Sequence, residues 1–230
     1  MHLDALVNQT LQMIGAELVR FLGSVVGLPI VVSDVRDMFI HGSITDYYWD
    51  KCSDIDLCIV LDLAKVRACL GKLNSGPVMR ALIRDWKRMF KLSVFGRGVD
   101  ITFRDVSDSF DDAGCYLKPG AAYSLYRDSW IRPPVRIPYN KLRLMRRMAY
   151  KRYRVIMRQC RYILRHKKSA EFVGAYLSGL EQCRVNSIGL SYEQPITSMT
   201  MAFKMVRNRG MFRRLRNYAK QARSNTYQLD

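Results

Sequence analysis

No stretch of the chain stays apolar for the roughly 18 residues that a membrane-spanning helix needs. The nearest run, from Val25 to Val32, is short and contains Gly27 and Pro29. The amino terminus reads Met-His-Leu-Asp, with neither the basic start of a secretory signal nor the Arg-rich, acid-poor face of a transit peptide. No membrane association is expected, and the expected location is cytoplasmic. Cysteine is sparse: six among 230 residues, at 52, 58, 69, 115, 160 and 183. None forms a C-x-x-C pair and no His stands at zinc-finger spacing, so free thiols are expected rather than a disulfide scaffold or structural zinc. No internal repeat is visible. The most telling scarcity is of acid in the second half, where residues 129–230 contain only Glu171, Glu181, Glu193 and Asp230.

What is present is an ordinary globular balance, with 49% apolar and 25% charged residues, which excludes wholesale disorder and a fibrous protein. The formal charge is +18. Residues 1–128 hold 15 Lys+Arg against 16 Asp+Glu, a net of −1, whereas residues 129–230 hold 23 against 4, a net of +19. An asymmetry of this kind points to a polyanionic partner, nucleic acid before membrane.

Periodicity predicts the elements. Leu6, Leu11, Ile14, Leu18 and Leu22 predict a helix over 3–23, punctuated by Gly23, Gly27 and Pro29. Val35 to His41 reads as a strand broken by Gly42-Ser43, and Ile55 to Leu61 as a buried, β-branched strand. Helices are predicted over 62–72 and after Pro77, the latter with Leu82, Ile83, Trp86 and Phe90 as its stripe. Leu92–Phe95 and Val99–Phe103 predict a hairpin around Gly96-Arg97-Gly98, and residues 104–140 read as loop. From Lys141, Leu142, Met145, Ala149, Ile156, Cys160 and Ile163 keep helical spacing. A second helix carries Val173, Tyr176, Leu177 and Leu180, and a third spans about 198–223 with Gly210 as a break. The expected organisation is an α+β fold: a mixed-sheet unit over 1–128, a Pro-rich connection over 129–140, and a basic helical unit over 141–230.

One constellation carries chemistry. A strand ends in His41-Gly42-Ser43, and ten residues later the next begins with Asp54-Ile55-Asp56-Leu57. Alternation along a strand puts Asp54 and Asp56 on one face, about 7 Å apart. Hard oxygen donors at that separation suit Mg²⁺. Gly42 allows close approach of backbone to a phosphate, and Ser43 offers a hydroxyl and an N–H. Val99-Asp100-Ile101 supplies a third acid on a predicted strand, which would complete a two-metal site. His41 and Cys58 read most simply as packed side chains.

Gly42-Ser43, the ten-residue spacer, Ser53-Asp54-Ile55-Asp56-Leu57 and Val99-Asp100-Ile101 together resemble the signature of the nucleotidyltransferase superfamily typified by DNA polymerase beta, in particular its minimal and RNA-tailing members. The resemblance covers roughly residues 35–103. It implies a mixed sheet flanked by helices and two Mg²⁺ or Mn²⁺ ions held by Asp54, Asp56 and Asp100. It also implies an NTP whose phosphates lie against Gly42 and Ser43, and transfer of a nucleoside monophosphate with release of pyrophosphate. Many relatives have Gly four residues after the Ser; here that position is Tyr47.

The basic half supplies the other expectation. Between Ile131 and Ser169 there are 14 Lys+Arg and no acid. Arg146, Arg147, Lys151, Arg152, Arg154 and Arg158 are the candidate nucleic-acid contacts, with Tyr150, Tyr153 and Tyr162 interleaved for stacking. Solvated faces mix charge signs, and this one does not. The expected function is untemplated addition of nucleotides to a nucleic-acid 3′ end, RNA before DNA. The alternatives are transfer to a protein or small-molecule acceptor, and an inactive relative that binds nucleic acid or organises an assembly.

Overall fold

The structure is a computed structural model that describes residues 3–49, 53–71, 75–106, 120–187 and 196–226. The chain divides into two compact units, residues 1–135 and 136–230.

The first unit is built on a mixed six-stranded sheet in the order β3-β4-β2-β1-β5-β6. Its strands are β1 (Val35–His41), β2 (Ile55–Leu61), β3 (Ser93–Val94), β4 (Arg97–Asp105), β5 (Ala122–Ser124) and β6 (Ser129–Arg132). β1 and β2 are antiparallel neighbours, and β2 and β4 are parallel. A parallel pair needs a long crossover; α2 (Ala64–Leu70) and α3 (Ser75–Met89) provide it. Leu57, Ile59 and Leu61 of β2 point into the main core, where they meet Leu11, Leu18 and Leu22 of α1 (Ala5–Ser24) and Met79, Ile83 and Trp86 of α3. The alternate residues Cys58 and Val60 face the other way, onto Phe39. Asp4 caps α1 by accepting from the amides of Leu6 and Val7 at 2.9 and 3.2 Å. Asn8 and Gln12 then fasten α1 to the end of β5 by donating to the Leu125 carbonyl.

The second unit is helical: α4 (Tyr139–Arg165), α5 (Ala170–Asn186), α6 (Ser198–Asn208) and α7 (Met211–Thr226). Its core joins Ala149, Ile156, Cys160 and Ile163 of α4 to Val173, Ala202, Val206, Phe212 and Leu215. Ser169 and Thr197 cap α5 and α6. Burial pushes the Tyr176 phenol well above its ordinary range, with help from the neighbouring Cys160. Among the described residues no helix is long and apolar enough to cross a membrane.

Several expectations are corrected. The stretch expected to be loop and connection contains β5 and β6, because Ala122–Ser124 pairs with β1 and residues 129–132 pair back onto it. The hairpin turn is Phe95-Gly96, both with positive φ, so Arg97 and Gly98 belong to β4. Leu6 is exposed, its place in the α1 stripe being taken by Asn8, and Phe90 lies just past α3, also exposed. The break expected at Gly210, with φ +70°, divides the third basic helix into α6 and α7 as anticipated. Cys58, Cys69, Cys160 and Cys183 are free thiols. Cys52, Cys115, Asp50 and the 107–119 part of the expected loop lie outside the described residues.

Gly23 gives the fold a stability test. A Cβ at this position in α1 would overlap the carbonyl oxygen of Ile30, where the chain folds back on the helix end. Helix propensity favours Gly→Ala by up to about 1 kcal/mol, but overpacking against backbone costs about 1–3 kcal/mol. Gly23→Ala is therefore expected to lower the stability of the first unit, by about 1–2 kcal/mol. Gly174→Ala in α5, where a Cβ meets nothing within 4 Å, should raise that of the second. Calorimetric unfolding of both variants checks the opposite signs.

Candidate functional site

β2 and β4 bring the predicted acids together. In their parallel register Asp56 stands directly opposite Asp100, and on the other side His41 of β1 pairs with Asp56. Side chains opposite one another across a ladder share a face, so His41, Asp56 and Asp100 form one row across three strands. Asp54 lies one residue before β2 begins, two positions from Asp56 and on the same face by alternation. Its carboxylate sits over Gly98 of β4: a Cβ built there would be 3.7 Å from Asp54 Oδ1. Asp54 is exposed, Asp56 half-buried, and the Asp100 side chain 59% exposed.

Gly42 follows β1 with φ +78° and opens a single turn of 3₁₀ helix over Gly42–Ile44. A Cβ at Gly42 would overlap Asp56 Oδ2 and lie 3.0 Å from its Cγ. The missing side chain is thus the seat of the Asp56 carboxylate. Thr45 holds the turn, its hydroxyl 2.8 Å from the Gly42 carbonyl and 2.9 Å from the Ala121 carbonyl. The Ser43 hydroxyl donates to that of Ser53 at 3.0 Å, which joins the Gly-Ser turn to the residue before Asp54. All five predicted residues of this site, Gly42, Ser43, Asp54, Asp56 and Asp100, therefore lie at one end of the sheet.

Two basic residues there escaped the sequence reading. Lys87, near the end of α3, forms an ion pair with Asp100 and donates to the Ile101 carbonyl at 3.2 Å. Arg97 donates to the Ser53 carbonyl at 3.0 Å and lies 4.8 Å from the Trp49 ring centroid. The one available signal was the placing of Arg97 within the hairpin. Asp37, further back on β1, is a structural acid: burial pushes its carboxyl up, against the Ser124 hydroxyl that donates to it at 2.8 Å.

The donor set suits a hard divalent cation in its chemistry, since Asp54 and Asp56 present carboxylate oxygens on one face and Gly42 leaves the second of them its place. As placed, Asp100 is neutralised by Lys87. Among the described residues no group of three or more His, Cys, Asp or Glu side chains is gathered closely enough to hold a metal ion.

In the second unit, α4 sorts its basic residues by face. Arg154, Arg158, Arg161 and Arg165, with Tyr150, Tyr153 and Tyr162, line a groove of about 590 Å³. At 100° per residue these arginines fall within an arc of about 60°, and Arg143 and Arg147 continue the stripe towards the helix start. All six are exposed, and among the described residues none forms an ion pair. Of the predicted contacts, Arg154 and Arg158 lie in the groove and Arg147 on the stripe. Arg146, Lys151 and Arg152 are exposed on other parts of the helix. Arg161 and Arg165 are additions that the helical period alone could have supplied.

Comparison with protein-family models, with curated proteins and with solved structures returns no match to this chain.

Proposed function

We propose that the protein is a metal-dependent nucleotidyltransferase that adds nucleoside monophosphates from an NTP to the 3′ end of a nucleic acid, RNA in preference to DNA. The observation that carries this reading is the register that sets Asp56 opposite Asp100, with the Asp56 carboxylate seated on Gly42 of the Gly-Ser turn. In the reaction the acceptor hydroxyl oxygen forms a bond to the α-phosphorus, the bond from that phosphorus to the bridging oxygen breaks, and pyrophosphate leaves. Asp54, Asp56 and Asp100 would hold Mg²⁺ or Mn²⁺, which when bound supplies charge neutralisation on the phosphates and a more acidic acceptor hydroxyl. Asp100 would take the proton of that hydroxyl once its ion pair with Lys87 opens. Gly42 and Ser43 receive the phosphates through the backbone of the turn and the Ser43 hydroxyl.

The α4 stripe supports nucleic acid as the acceptor, since its exposed arginines gain counterion release on meeting phosphates and its tyrosines offer bases a surface. Replacing Arg154, Arg158 and Arg161 together by Ala should weaken RNA binding across sequences. The salt slope of log K should fall by about 0.7 for each single-strand phosphate that is no longer neutralised. Unchanged binding would remove α4 from the interface.

The function is tested by incubating the protein with each labelled NTP, Mg²⁺ or Mn²⁺, and RNA, DNA or no polymer. Label in RNA is the expected result. Label on the protein itself or on a small acceptor would move the reading to another acceptor class, and no transfer from any NTP would leave a binding protein on this fold.

A further inference from the structure

The first unit is neutral in sum, yet it contains a strongly basic cleft. A cavity of about 960 Å³ lies between α3 and β4 and extends to α2. Its walls carry Arg67, Arg80, Arg84, Lys87, Arg88 and Arg104, against two lining acids, Asp100 and Asp105. One end is the carboxylate row itself, since His41 and Asp100 line the cavity and Lys87 touches both Asp100 and the Ile101 backbone. From there the cleft follows β4 to Asp105, about 16 Å along an extended strand. Asp105 is buried and paired with Arg67, while Arg84 and Arg88 flank Asp85 at 3.9 and 3.2 Å. Arg80 is exposed, and among the described residues it forms no ion pair.

Arg80, Arg84 and Arg88 repeat at every fourth residue, so they stand on one side of α3 about 6 Å apart along its axis. A row of cations at such intervals meets a succession of phosphates, where a single anion would use one or two of them. We propose that this cleft holds the last few phosphodiesters of the acceptor strand, with the 3′ terminus at the Asp100 end. The inference rests on the nucleotidyltransferase reading for the direction of the strand, but the cleft's ligand chemistry, a single-stranded phosphodiester chain, stands on the cavity and its charge. It also changes the division of labour: a strand whose end reaches Asp100 is gripped within the catalytic unit itself.

The test uses the full chain and a fluorescein-labelled uridine pentamer, too short to occupy an extended surface. Binding is followed by anisotropy over a salt series, with inorganic triphosphate as competitor. A pentamer bearing 4-thiouridine at its 3′ end is photocrosslinked in parallel. Arg80→Ala, Arg84→Ala and Arg88→Ala combined replace surface side chains, and circular dichroism checks that the variant folds. Expected are at least about a tenfold loss of pentamer affinity and a salt slope lower by about 2 units, at roughly 0.7 for each phosphate no longer neutralised. The crosslink should fall in α3 or β4 in the parent protein, and triphosphate should compete weakly. Unchanged pentamer affinity in the folded variant, a crosslink confined to α4–α7, or displacement by triphosphate at concentrations that saturate a nucleotide site would each overturn the proposal. Loss of pentamer binding in a protein that transfers no nucleotide would sink the catalytic reading and leave the cleft as a strand-binding site. Transfer with pentamer binding untouched by the substitutions would do the reverse.

Discussion

Asp56→Asn and Asp54→Asn are each expected to lower nucleotide transfer by at least about a thousandfold, the equivalent of roughly 4 kcal/mol of lost transition-state stabilisation. Asn keeps the shape and one oxygen but discards the charge, so the loss isolates electrostatics from packing. Neither side chain is buried, and the strand beyond them is anchored by Leu57, Ile59 and Leu61, each fully buried. Both variants should therefore fold and bind RNA as the parent does, because the α4 stripe and the α3 arginines are untouched. Two measurements check this: single-turnover transfer, and Mn²⁺ binding by electron paramagnetic resonance, which should weaken in both variants whether or not chemistry follows. Near-normal transfer in either variant would remove that carboxylate from the reaction.

Gly42→Ala is the second large effect. Two penalties combine there. The positive φ strains any residue with a Cβ, at about 1 kcal/mol or somewhat more. In addition the new methyl group would occupy the place of the Asp56 carboxylate, which must turn or shift. Displacement of a reacting group by about 1 Å is enough to cost on the order of a hundredfold in rate. Gly96→Ala separates the penalties, because Gly96 has φ +73° and a Cβ there meets nothing within 4 Å. Gly96→Ala should lose only the strain, Gly42→Ala should lose more stability because the overlap adds to it, and only Gly42→Ala should lose transfer. Parent-like transfer in folded Gly42→Ala would show that Asp56 can reorient without cost to the chemistry, and the seat on Gly42 would lose its functional meaning.

Gly42 and Gly23 mark what could be read from residues alone. Gly42 was legible because the Gly-Ser pair, the spacer and the two acids form a pattern, and strands β1 and β2 fall on the predicted residues since both are apolar runs bounded by polar breaks. Gly23 read as punctuation; its contact with Ile30 depends on how the chain folds back, which no local pattern encodes. β5 and β6 escaped for a related reason: Ala122–Ser124 is three residues long, and pairing with β1 rather than intrinsic propensity makes it a strand. Lys87 was one basic residue among many on its helix until the crossover delivered it to Asp100. On α4 the charge total was plain, but the useful subset is set by the core: once Ala149, Ile156, Cys160 and Ile163 face inward, the arginine stripe is what faces out.

The parallel pairing of β2 with β4 has a consequence for when the site comes into being. The β3–β4 hairpin closes over a two-residue turn, and β1 and β2 are near neighbours in the chain, but Asp56 and Asp100 come from opposite sides of the α2–α3 crossover. Non-local pairings close late because loop entropy must be overcome first. Until then the acids stand apart, and their mutual repulsion is incurred only when β4 docks beside β2. Lys87 travels on the crossover that must dock for this step, so the cation arrives with the strand that needs it. Folding should accordingly slow at low ionic strength when Lys87 is neutralised, and recover as salt screens the carboxylates.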